Sequence, residues 1–159
     1  MKQPNIARAG VVLAGAAVTA LVGPGAQAKA VTIEFPQVPT LAYGGLCGTT
    51  IRTWADVSPA WPGRAILNVR ALPVIGIGPG DYPLAPLCEV NTTVAWRNTT
   101  TGAVGRYDNT VVTGLYGSMQ YALFQDTGPG RIEVTVTTDA ASIPAYGWFN
   151  VPAPAAPPA

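Results

Sequence analysis

From Val31 onward the chain alternates apolar and polar positions in short runs that glycine and proline interrupt. The clearest run is Arg131 to Thr137, where Ile132, Val134 and Val136 occupy one parity and Arg131, Glu133, Thr135 and Thr137 the other. A period of two puts one set of side chains on each face, as an antiparallel strand with one buried and one wet face requires. Glu89 to Arg97 behaves in the same way, with Val90, Val94 and Trp96 against Asn91, Thr93 and Arg97, so Trp96 is expected in the core. Asn98-Thr99-Thr100-Thr101-Gly102 supplies turn chemistry, and a second run from Ala103 to Thr113 completes a hairpin. Val31 to Phe35, Thr49 to Val57, Arg64 to Leu72, Met119 to Gln125 and Tyr146 to Val151 bring the expectation to about eight strands. No stretch after the first 28 residues sustains a 3.6-residue apolar period over 11 or more positions, so no long helix is expected. Evenly spaced strands with turns between them predict an all-β chain, an antiparallel β-sandwich or small barrel.

Two segments break the rhythm. Pro73 to Pro86 contains Pro73, Gly76, Gly78, Pro79, Gly80, Pro83 and Pro86, and it reads as a long crossover loop because proline removes ladder donors. Its Val74, Ile75, Ile77, Tyr82 and Leu84, with Leu87 after it, are too apolar for an idle loop, so it either folds back on the core or meets a partner; folding back is the preferred expectation. Residues 152–159 form an Ala/Pro tail, expected to be disordered and outside the core.

The first 28 residues follow a different logic. Lys2 and Arg8 precede an apolar run from Val11 to Val22, and Ala26-Gln27-Ala28 follows Gly23-Pro24-Gly25. Twelve apolar residues are too few for a bilayer-spanning helix of about 20, so residues 1–28 read as a secretory signal peptide cleaved after Ala28, or after Ala30 as second choice. The expectation is one domain over residues 29–151, exported, with no transmembrane anchor once the signal is removed.

Export changes how charge and cysteine are read. Residues 29–159 hold seven cations against eight acids, a formal charge of −1, whereas the whole chain carries +1. Six of the seven are scattered arginines without a run or stripe, which argues against nucleic acid and against a polybasic membrane patch. Cys47 and Cys88 are the only cysteines, and in an oxidising compartment they are expected to pair.

Catalytic patterns are absent. The chain has no histidine, no G-x-S-x-G elbow, and no lysine near Ser58, Ser118 or Ser142. Gly76-Ile77-Gly78-Pro79-Gly80 lacks the spacing of a dinucleotide fingerprint and cannot run into a helix. Two converging carboxylates could still support hydrolysis, but isolated acids at turns are normally solvated, so neither enzyme activity nor a cofactor or metal site is expected. Asn91-Thr92-Thr93 and Asn98-Thr99-Thr100 match the N-glycosylation pattern, read here as strand and turn residues. Aromatic side chains are the remaining handle. Trp61, Ile77, Tyr82 and Trp148 are the candidate contact residues, Trp61 because prolines flank it in a turn.

Gly128-Pro129-Gly130-Arg131-Ile132-Glu133-Val134-Thr135-Val136 with Gly147-Trp148-Phe149-Asn150-Val151 resembles the last two strands of bacterial immunoglobulin-like domains, and Val94-Ala95-Trp96-Arg97-Asn98 leading to Thr101-Gly102 resembles their hairpin. Signal and tail together are similar to small secreted proteins of actinobacteria, mycobacteria among them. The resemblance implies an immunoglobulin-like sandwich of seven or eight strands. It departs from that family in lacking a tyrosine corner, since Arg131 and Ile132 open the penultimate strand, and in the Cys47–Cys88 spacing. It implies no functional residue. The expected role is a non-enzymatic interaction module, secreted or in the cell envelope, whose partner is a protein; the alternative is a carbohydrate-binding module stacking Trp61, Tyr82 or Trp148 on envelope polysaccharide.

Overall fold

The computed structural model describes residues 29–42, 47–74 and 87–156. Ten strands and no helix occur among them: β1 (Val31–Glu34), β2 (Val38–Ala42), β3 (Cys47–Val57), β4 (Ala65–Ala71), β5 (Cys88–Asn98), β6 (Val104–Thr113), β7 (Tyr121–Gln125), β8 (Gly130–Thr138), β9 (Ala141–Ser142) and β10 (Ala145–Val151). They form two antiparallel sheets, ordered β7-β4-β3-β2-β9 and β10-β8-β5-β6. β1 joins the first sheet beside β2, pairing with residues 54–57 of β3 while β2 pairs with residues 47–51. The two are halves of one strand broken at Phe35-Pro36-Gln37.

All eight expected strands are present, and alternation explains why. Inward residues of β3 and β4 (Ile51, Ala55, Val57, Ala65, Leu67, Val69) meet those of β5, β8 and β10 (Val90, Val94, Ile132, Val134, Val136, Phe149, Val151) in one core. The two additional strands carry little periodic signal. β2 contains Pro39, and β9 is two residues long, held by Thr40↔Ser142 and Leu41↔Ala141. Pro39 lies beyond that short pairing and on its other side faces Thr50, so its missing N–H costs the ladder little.

Aromatic rings lock the sheets together at two places where glycine leaves room. Trp96 lies over Gly105, where a Cβ would fall inside the indole, and its Nε1 donates across the sandwich to Gln125 Oε1 at 3.0 Å. Phe35 lies over Gly147 in the same manner and contacts the Phe149 ring, centroids 6.1 Å apart. The break between β1 and β2 thus carries the side chain that seats β10.

Cys47 and Cys88, the first residues of β3 and β5, are bonded to each other, Cα atoms 6.0 Å apart, and both are buried. The expected disulfide therefore fastens one sheet to the other. Beyond the core, Ala153 to Ala156 are exposed and outside any strand. No helix of the described residues is long and apolar enough to cross a membrane.

Candidate functional site

The turn after β3 holds Trp61. The Trp61 amide donates to the Ser58 carbonyl and Gly63, at positive φ, donates to Pro152, so the turn is pinned beside the C-terminal end of β10. Proline on both sides does not leave the indole free. It is half-buried, edge-on to Phe124 at 5.8 Å and 86°, and its Nε1 is buried without a partner among the described residues. Arg64 lies 4.5 Å over the other partner ring, Phe124, and pairs with Asp126 at 2.7 Å. Trp61 is therefore chiefly a packing residue at this corner.

Trp148 is placed differently. It lies on the outward parity of β10 with Tyr146, two positions away, and the two are 52% and 67% exposed. Pairing along β10 and β8 sets Trp148 opposite Glu133 and Asn150 opposite Arg131, and the Arg131 guanidinium reaches diagonally to lie 4.3 Å over the indole. A cation over the ring face is worth about 0.5–1 kcal/mol at an exposed site, enough to fix one face of the ring. Tyr146, Trp148 and Arg131 form a continuous aromatic and cationic strip on the edge of the second sheet. Arg131 is the member of this strip that alternation alone does not reveal: parity puts it on the wet face, and only strand register shows the diagonal to Trp148.

The same arrangement recurs on the first sheet, where Arg52 lies 5.1 Å from the Trp54 ring centroid while its guanidinium forks onto Glu34, at 3.0 and 2.5 Å. The Glu34 carboxylate raises the Arg52 pKa above its ordinary value. Three of the scattered arginines thus sit on aromatic faces. A polar chain runs beside Trp54: Thr32 and Asn68 donate to Asp56, at 2.5 and 2.8 Å, and Gln120 donates to Asn68 at 2.9 Å. Asn68, on the outward parity, is nonetheless 1% exposed beneath these neighbours.

The acids are dispersed. Asp108 on β6 accepts from Arg106 and from the Thr93 hydroxyl, each at 2.6 Å, and these bonds hold its carboxyl below the usual range and raise Arg106. Asp139 accepts from the Asn91 backbone and amide at 3.0 and 2.7 Å. No three acidic or cysteine side chains among the described residues converge in a way that could hold a metal. Of the two glycosylation-type asparagines, Asn91 is committed to Asp139, and Asn98 is fully buried.

Ile77 and Tyr82, with the rest of residues 75–86, lie outside the described residues. Leu87, after that segment, is 67% exposed and not folded back on the core as expected, whereas the flank before it is fixed. The Val74 amide donates to Gly114 and the side chain packs on the core, while the Thr49 and Thr113 hydroxyls both donate to the Leu72 carbonyl. The two expected contact residues that are described, Trp61 and Trp148, are not brought together: they belong to different surfaces. On the first sheet an open apolar groove of about 550 Å³ runs along Pro39, Leu41, Gly48, Thr50, Ala141 and Ile143. Comparison with protein-family models, curated proteins and solved structures finds no match to the chain.

Proposed function

We propose that the chain is an exported, non-enzymatic, immunoglobulin-like sandwich of the cell envelope or culture fluid that works by contact, docking a protein partner on the β10 edge of its second sheet. The observation that carries this reading is the strip of Tyr146 and Trp148 on a seven-residue edge strand, with Arg131 of β8 over the indole. Rigid aromatic rings give contact area at low entropic cost, and an edge strand adds main-chain hydrogen bonds when an extended segment pairs with it. Export is supported by the signal-like first 28 residues and by the disulfide. The absence of histidine and of any nucleophile–base pattern in the sequence supports the non-enzymatic reading.

A photocrosslinking residue in place of Trp148, introduced in the secreted protein within an envelope fraction, is expected to give protein adducts identifiable by mass spectrometry. The same residue in place of Thr110, exposed on β6 at the far side of that sheet, is expected to give none. Equal adduct yields at both positions, or none at 148, would refute docking through β10. The adjacent Tyr146 and Trp148 rings also suit a polysaccharide. Retardation of the wild type in gels containing envelope polysaccharide, abolished by Trp148→Ala, is the outcome that would favour that second reading.

A further inference from the structure

The second sheet ends on β10, and the described loops leave that end uncovered. Ala145 to Val151 pairs residue for residue with β8 on one side, and none of the loop or turn backbone bonds among the described residues reaches the other. Edge strands normally carry a charge, a proline or a bulge that discourages addition of another strand. Ala-Tyr-Gly-Trp-Phe-Asn-Val has none of these. The other ends are less open: β9 is two residues, β6 carries the Arg106–Asp108 ion pair, and β7 is five residues long with Phe124 against Trp61.

We propose that this edge pairs with a second copy of the chain, antiparallel about a two-fold axis through Trp148, joining two four-stranded sheets into one of eight strands. The proposal rests on β10 being the docking edge, and the occupant follows from the strand's own sequence. Trp148 is the midpoint of the seven residues, and Pro144 and Pro152 flank it at equal distances. Pairing centred on Trp148 sets Gly147 opposite Phe149, Tyr146 opposite Asn150 and Ala145 opposite Val151 of the second copy, and both prolines fall outside the ladder. Bulky residues then meet smaller ones, buried parity meets buried parity, and no charge meets its like. Only Trp148 meets itself, and Arg131 holds its indole on the outer face. Centring one residue earlier would bring Pro144 opposite Asn150; one residue later would bring Pro152 opposite Tyr146. Either register puts a residue without an N–H into the ladder. A strip about 23 Å long with two half-exposed rings per copy falls below the ~1,200 Å² of stable complexes, so the pairing is reversible and concentration-dependent.

Sedimentation of the secreted, oxidised protein from about 10 μM to 1 mM is expected to show a monomer–dimer equilibrium, with the dimer fraction falling at least several-fold in the double variant Tyr146→Lys, Trp148→Lys. Register is read by cysteine. In an antiparallel pair facing Cα atoms lie about 4.5–5.5 Å apart, within disulfide reach. Trp148→Cys should therefore crosslink to itself in air, Tyr146→Cys should not, and a mixture of Tyr146→Cys with Asn150→Cys should give the heterodimer. A wild type that stays monomeric at 1 mM, a dimer that survives both lysines, or self-crosslinking of Tyr146→Cys as fast as that of Trp148→Cys overturns the proposal. A monomeric protein that still forms position-148 adducts with a foreign protein defeats self-pairing alone; absence of any adduct defeats the docking edge as well.

Discussion

Asn98 closes the β5–β6 hairpin and, from the same side chain, holds the loop that leads into β8. Its Oδ1 accepts from the Thr100 and Thr101 amides at 2.9 and 3.1 Å, and its Nδ2 donates to the Thr127 and Pro129 carbonyls at 2.8 and 3.0 Å. Because it is fully buried, Asn98→Ala leaves four backbone groups short of a partner and is expected to cost about 3 kcal/mol in urea unfolding. Asn98→Asp keeps the acceptor but turns a carboxylate toward two carbonyls, so it should cost more at pH 8 than at pH 5. The second residue-scale prediction concerns Tyr107, half-buried near Tyr121. Burial, and then the charge of Tyr121, push the Tyr107 phenol above the ordinary tyrosine value near 10. A folded pKa above the unfolded one gives stability that is fully present below about pH 10 and is lost as pH rises through the folded value. Urea midpoints of the wild type should therefore fall more steeply above about pH 10 than those of Tyr107→Phe, and tyrosinate absorbance at 295 nm should show a late-titrating component that Tyr107→Phe removes.

At the scale of elements, the interrupted first strand makes the sharpest prediction. Phe35 is 5% exposed, follows β1, and packs on Gly147 and Phe149 of the opposite sheet. Phe35→Ala should destabilise by about 3–5 kcal/mol by opening a cavity under β10, measured as a drop in urea midpoint at constant m-value. The strands that alternate over five or more positions are legible in the sequence, because period two survives whatever the partner strand is. β5 and β8 are the clearest, and Trp96 occupies the core position its parity assigns. β2 and β9 are not legible: five residues with a proline and two residues with none of the usual strand formers acquire their state from β3 and from each other. The candidate site is half legible. Trp148 is outward and exposed as its parity requires, whereas Trp61 is half-buried because Phe124, remote in sequence and itself 41% exposed, packs edge-on against its ring. Arg131 joins the site only through register, which no single strand encodes.

For the whole molecule, the Cys47–Cys88 bond is the disulfide cross-link between the sheets, and it spans 41 residues. Closing a loop of that size stabilises by about 4 kcal/mol in the chain-entropy model, a large share of the 5–15 kcal/mol typical of a domain. The Cys47→Ala, Cys88→Ala double variant should lose about that much in urea unfolding relative to the oxidised protein, with a larger m-value as its unfolded chain expands. The same bond also shortens the search that precedes folding. The first sheet draws most of its strands from before Cys88, and all four strands of the second come from that residue onward. Their docking needs contacts between distant parts of the chain, the kind that slow β-proteins most. With the bond intact, β3 and β5 start as neighbours, and a loop-closure cost of about 3 kcal/mol is removed from the approach to the transition state. Stopped-flow refolding from urea should accordingly be tens to hundreds of times faster for the oxidised chain than for the alanine double variant, if the β3–β5 contact forms early; equal rates would mean that the sheets meet only after the barrier.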